Sequence, residues 1–170
     1  MARTLLSNVT LPCLLLSFNA SAGEGFVLKA GDGEALGNGI VVKASPKTGT
    51  DGSILVEQTF QTGATTGLHM HEQGDELFYV VSGRGTATLE GAEKILGPGD
   101  VVFVPKSAVH RIRNLDHSDP MTVVFFMATH ELVVLFRSIH ERYVRDPSQP
   151  ITPEEFAAFE KRTGGARTTR

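Results

Sequence analysis

The stretch GLHMHEQGDELFYVVSG, Gly67–Gly83, decides how the rest of the chain is read. His69 and His71 stand two apart, so on a β-strand both imidazoles leave the same face. The segment Glu72–Asp75 is long enough to turn the chain, and Glu76 then opens a second strand-like run, ELFYVVS (Glu76–Ser82). Along that run Glu76, Phe78 and Val80 share one face, opposite Leu77, Tyr79 and Val81. Two imidazoles and a carboxylate aimed at one place predict a metal site, and the remaining sequence has to supply the missing ligand.

Working outward, the chain from Gly23 to Met127 is a series of short apolar runs cut by Gly, Pro and Asp. FVLK (Phe26–Lys29), GIVVK (Gly39–Lys43) and SILVEQTF (Ser53–Phe60) come before the deciding stretch. TATL (Thr86–Leu89), VVFV (Val101–Val104), HRIRN (His110–Asn114) and TVVFFM (Thr122–Met127) come after it. KTGTDG, EGAE and GPGD are turn signals between runs. The 18 glycines and 8 prolines agree with many tight turns. This spacing predicts an all-β unit, a closed or sandwiched antiparallel barrel. In SILVEQTF, Ile54, Val56, Gln58 and Phe60 share a face. In HRIRN, Arg111 and Arg113 mark the solvent side, which turns His110 inward as the third imidazole.

Beyond Met127 the period becomes helical. Leu132, Phe136, Ile139 and Tyr143 form an apolar stripe of about four turns. A second helix starts with Thr152 as cap, Pro153 in the first turn and Glu155 three residues after the cap, and Gly164 is its expected stop. Residues 128–163 are therefore read as helices packed on a barrel spanning 23–127, and 164–170 as a flexible tail.

The chain has 170 residues, one domain's worth, with 41% hydrophobic and 21% charged residues. Net charge is −3 with no basic block, which excludes a nucleic-acid partner. No stretch outside the amino terminus is long and apolar enough for a membrane span. Cys13 stands alone, so an intramolecular disulfide and a cysteine metal site are both excluded, leaving His, Asp and Glu as ligands. Residues 1–22 carry Arg3, the apolar LPCLLLSF (Leu11–Phe18) and a small-residue ASA (Ala20–Ala22). That layout reads as a secretory signal peptide, with an uncleaved extension or amino-terminal strand as the alternative. Cleavage implies a secreted or periplasmic protein, and no cleavage a cytoplasmic one.

A lone inward histidine is more often a hydrogen-bonded core residue than a ligand, and a lone Glu beside a turn is more often solvated. Four buried ionisable groups together, His69, His71, Glu76 and His110, are costly without a cation. Glu72 and Asp75 compete for the carboxylate role, and Glu76 is preferred because it opens its strand on an inner face. The donor set suits a borderline divalent ion such as Mn, Fe, Co, Ni, Cu or Zn.

These residues also carry a family resemblance. Gly63, His69, His71, Glu76 and Gly83 match the first motif of the cupins, interval for interval, and Gly99, Pro105, His110 and Asn114 match the second. Ser107 stands where that family has Gly. The chain thus resembles single-domain cupins of the quercetin dioxygenase-like kind. The resemblance implies a jelly-roll, double-stranded β-helix barrel and one divalent transition metal (Fe, Mn, Ni, Cu or Zn) held by His69, His71, Glu76 and His110. It also implies a small-molecule substrate and a homodimer paired through edge strands in Phe26–Lys43. The implied activity is a dioxygenase or oxidase acting on a small metal-chelating compound, with Glu76 as a detachable general base. A non-oxidative isomerase, decarboxylase or lyase, and a non-enzymatic binding protein, are the alternatives. Gln58, Phe60, Phe78 and Phe103 are candidate substrate contacts, or else ordinary core.

Overall fold

The structure is a computed structural model and describes residues 25–169; the segment read as a signal peptide, 1–22, lies outside them, as does Cys13. In chain order the strands are β1 (Glu34–Ala35), β2 (Ile40–Ala44), β3 (Ile54–Phe60), β4 (His69–Met70), β5 (Glu76–Ser82) and β6 (Gly85–Leu89). They continue with β7 (Ala92–Leu96), β8 (Val101–Val104), β9 (His110–Asn114) and β10 (Met121–Met127). Helices α1 (Glu131–Arg145) and α2 (Pro153–Thr163) follow, and a last short strand, β11 (Arg167–Thr168), ends the series. All pairings between these strands are antiparallel, in two sheets ordered β1-β2-β3-β10-β5-β8 and β11-β4-β9-β6-β7. The all-β expectation with two carboxy-terminal helices holds.

Alternation explains the core. In β10 every second residue, Met121, Val123, Phe125 and Met127, is buried, and β10 runs between β3 and β5. Ile54, Val56 and Phe60 of β3, Phe78 and Val80 of β5, Val102 and Val104 of β8, and Ile112 of β9 complete one cluster between the sheets. Each such side chain contributes about 1.5–3 kcal/mol on burial. The return from β5 to β6 needs Gly83: its φ is 81°, and a Cβ there would lie 2.5 Å from the Pro120 carbonyl oxygen. Asn114, buried, ties loops rather than facing the site. Its amide nitrogen donates to the carbonyls of Phe60, Gln61 and Asp119, and its Oδ1 accepts from the Asp116 N–H.

Four expectations change. Phe26–Lys29 is no strand; its apolar residues are exposed, and only the two-residue β1 extends the sheet beyond β2. β7 was hidden in the sequence because four of its five residues are exposed and show no alternation. It is joined to β6 by a two-residue turn, Glu90 and Gly91, with φ of 46° and 82°, the left-handed pair a tight hairpin needs. Phe103 points outward at 52% exposure, because Val102 and Val104 take the inner parity of β8. The tail expected to be flexible is instead β11, paired with β4 through Arg167↔Met70 and Thr168↔His69.

Candidate metal centre

The two sheets bring four side chains together. His69 and His110 are direct cross-strand neighbours on β4 and β9, His71 follows β4, and Glu76 enters from β5 of the opposite sheet. One donor atom from each lies within 4.8 Å of all the others. Histidine ring centroids are 4.1, 4.9 and 5.1 Å apart. His71, Glu76 and His110 are buried, and His69 is half-buried on the open side of the group. The competing carboxylates are elsewhere: Asp75 accepts the Lys106 N–H at 2.7 Å, and Glu72 pairs with Arg167 at 2.8 Å.

Each imidazole is turned by a backbone carbonyl. His69 Nδ1 lies 2.9 Å from the Gly67 oxygen, His71 Nδ1 2.7 Å from that of Gly165, and His110 Nδ1 3.0 Å from that of Ala108. A carbonyl only accepts, so each Nδ1 carries a proton and each ring turns its Nε2 toward the cluster. Those of His71 and His110 lie 3.1 and 3.0 Å from Glu76 Oε2. Without an ion such a contact needs a proton on Nε2, as in the His110–Glu76 hydrogen bond; with an ion the same nitrogen offers its lone pair to the metal. His71 Nε2 is buried, and despite its nearness to Glu76 it makes no aligned hydrogen bond. The residues therefore fit a divalent ion: three nitrogen donors, one anionic oxygen donor, and a buried nitrogen in need of a partner.

Electrostatics agree. Burial pushes Glu76 up, but His110 and His71 more than offset it and hold the carboxyl at about 2, so it is ionised. Burial, then His110 and His71, hold His69 down at about 4, neutral and ready to donate. Burial also lowers His71, yet the Glu76 carboxylate outweighs it and leaves this imidazole raised.

On the His69 side the group opens into a cavity of about 230 Å³. Its barrel wall is Gln58, Phe78 and Phe125, and its roof comes from helices: Leu132, Leu135, Phe136 and Ile139 of α1 and Phe156 and Glu160 of α2. Ala166 and Thr168 close one side. Among the described residues that line it there is no Lys or Arg. An outer groove of about 670 Å³ shares Gln58, Thr66, Phe136, Ile139 and Phe156 with this cavity. Of the expected contacts, Gln58 and Phe78 line the cavity, Phe60 lines only the outer groove, and Phe103 lines neither. The sequence placed helices α1 and α2 on the barrel, but not over the site. The signal is the apolar stripe of α1, which announces a covered face but not what it covers.

Residues 56–127, which include all four clustered side chains, match the family described as Cupin domain. The chain is 31% identical over 121 residues to quercetin 2,3-dioxygenase of Bacillus subtilis, covering 69% of this chain and 35% of that protein. It is 30% identical over 78 residues to the pectin degradation protein KdgF of Dickeya dadantii, covering 46% of this chain and 71% of the relative. A solved RmlC-like cupin from Shewanella frigidimarina NCIMB 400 shares the fold with a TM-score of 0.51 at 22% identity, over 62% of this chain and 90% of that one. The chain spans about half or less of the length of the first curated relatives it matches, 49%, 35% and 47%.

Proposed function

The chain belongs to the cupin family, and from that premise we propose a metal-dependent oxygenase acting on a small, largely apolar compound with one chelating edge. The observation that carries this reading is the pairing of a three-histidine, one-glutamate donor set with an aromatic cavity that lacks any Lys or Arg in its lining. A dicarboxylate or sugar phosphate would find no side-chain cation there, whereas a flat apolar body would be covered by Phe78, Phe125, Phe136 and Phe156. The similarity to quercetin 2,3-dioxygenase supports the oxidative chemistry.

His69, His71 and His110 would hold the ion through Nε2, and Glu76 would supply the fourth ligand atom. A bound ion of this class supplies Lewis acidity and, where redox-active, electron exchange with oxygen. Glu76, detached from the ion, could take a proton from a substrate hydroxyl that enters from the His69 side. Gln58 offers an amide on the cavity wall to a substrate oxygen. The α1–α2 roof gives the cavity an apolar cover. A second reading keeps the same donor set and uses the ion only as a Lewis acid in an isomerase, decarboxylase or lyase.

The test is oxygen uptake by protein loaded separately with Fe, Mn, Ni, Cu or Zn, given flavonols and small diketones. The proposal expects substrate-dependent uptake with a redox-active ion and none with zinc. Equal turnover with and without oxygen would establish the Lewis-acid reading instead. Tight binding of the chelators with no turnover under any ion would leave a binding protein.

A further inference from the structure

Two of the three histidines are oriented locally. His69 and His110 each reach a carbonyl two residues away in their own strand segment, Gly67 and Ala108. His71 does not: its partner, the Gly165 carbonyl, comes 94 residues later and is the shortest of the three contacts at 2.7 Å. That carbonyl is placed by a strap, Gly164–Thr169, which nothing in the functional reading above requires.

The strap is tightly specified. Gly164 ends α2 in the left-handed region, φ 68°, and turns the chain back toward the barrel. Gly165 then passes so close to α1 that a Cβ would lie 2.4 Å from the Glu131 carbonyl oxygen and 2.8 Å from Leu135 Cβ. Ala166 is buried and, with Thr168, lines the cavity. β11 pairs with β4, the strand that carries His69, and the Thr169 N–H donates to the Leu68 carbonyl at 2.9 Å. Glu160 of α2 fastens it from the other side, accepting from both the Thr168 N–H and hydroxyl at 2.8 and 2.6 Å.

We propose that this strap is a positioning element of the metal centre: the Gly165 carbonyl fixes the ring of His71 with its proton on Nδ1, so that Nε2 faces Glu76. Undocking the strap frees the His71 ring to rotate and unpairs β4 on one side, while Glu76 and His110 keep their places on β5 and β9. It also opens the cavity wall at Ala166 and Thr168. The inference rests on the metal-centre reading for its consequence, but the orienting contact can be measured without any ion. Partners of this kind are worth about 10–100-fold in metal affinity.

The test compares the full chain with a form ending at Gly164, with Gly165→Ala, and with Arg167→Ala, which removes only an exposed ion pair to Glu72 and keeps the backbone pairing. Two readouts are taken: zinc and manganese affinity, and the hydrogen-bonded Nδ1 proton resonances of the three histidines in metal-free protein. Circular dichroism and melting establish that each variant is folded. In the truncated form and in Gly165→Ala, affinity is expected to fall about 10–100-fold. In both forms the His71 proton signal should vanish while that of His110 persists, in Gly165→Ala that of His69 persists as well, and Arg167→Ala should match the parent in both readouts. Should the truncation fail to fold, Gly165→Ala decides. Undiminished affinity, or a His71 proton signal that survives in the variants, overturns the strap's role and leaves the metal reading intact. A full chain that binds neither ion defeats the metal reading, and the proton signal alone then decides whether the strap orients His71.

Discussion

Glu76 and Asp75 are neighbours in sequence with opposite fates, and a pair of substitutions separates them. Glu76→Ala removes the one anionic donor among four, whereas Asp75→Ala removes an acceptor from the Lys106 N–H and costs about 1 kcal/mol of stability without touching the cluster. Metal content after dialysis is expected to collapse in the first, as in His69→Ala, His71→Ala and His110→Ala, and to persist in the second; equal content in all five would contradict the ligand set. Titration gives a second check at this scale. His69 is held at about 4, so between about 6.5 and 4 the unfolded chain binds a proton that the folded one refuses, and stability falls with pH. Glu76, held at about 2, adds a loss of stability as pH falls from about 4.5 toward 2. His71 is raised, so its contribution is complete below about 6.5 and is lost as pH rises through its folded value. Metal-free protein should therefore melt highest near pH 6.5, and the alkaline decline should disappear once an ion keeps His71 deprotonated. A flat profile in melts with and without chelator would refute this. All four cluster members were legible in the sequence, because strand parity fixes direction. The same parity sends Phe103 outward, where aromatic size had suggested a cavity wall. Gly165 was illegible for a different reason: it acts through a backbone carbonyl, which leaves no mark on residue type.

Among elements, the helices show how far local rules reach. Thr152 accepts the Glu155 N–H at 3.2 Å and Glu155 accepts the Thr152 N–H at 3.1 Å, the capping box read from the sequence. Thr152→Ala should cost about 0.5–2 kcal/mol in urea unfolding. Strands with one dry face, β3, β5, β8, β9 and β10, declare themselves by alternation, whereas β7 does not and β1, β4 and β11 are two residues long. What an element covers is a separate question that only packing answers. Leu132, Phe136 and Ile139 of the stripe read in the sequence line the cavity beside His69 together with Leu135, whereas Tyr143 lines only the outer groove. Phe136 lines both this cavity and the outer groove, so Phe136→Ala should join the two spaces. The expected result is a shift in kcat/KM toward bulkier chelating substrates, measured against a one-ring competitor; unchanged discrimination would show that the wall lies elsewhere.

At the scale of the whole molecule the cluster is a rivet between layers. Its candidate donor atoms come from β4, the residue after it and β9 on one side and from β5 on the other, so an ion bound there would tie the two faces of the barrel together. Binding only the folded state adds about 2.7 kcal/mol at one hundred times Kd. A chelator should therefore lower the melting temperature of loaded protein by several degrees and leave His110→Ala unaffected. The contact between Gly165 and His71 has a further consequence in time. A ribosome delivers all three imidazoles and the carboxylate well before it delivers the residue that aims one of them. An ion met before the strap docks would find His71 unoriented, and the fourth donor would be set only once the Gly165 carbonyl reaches that ring.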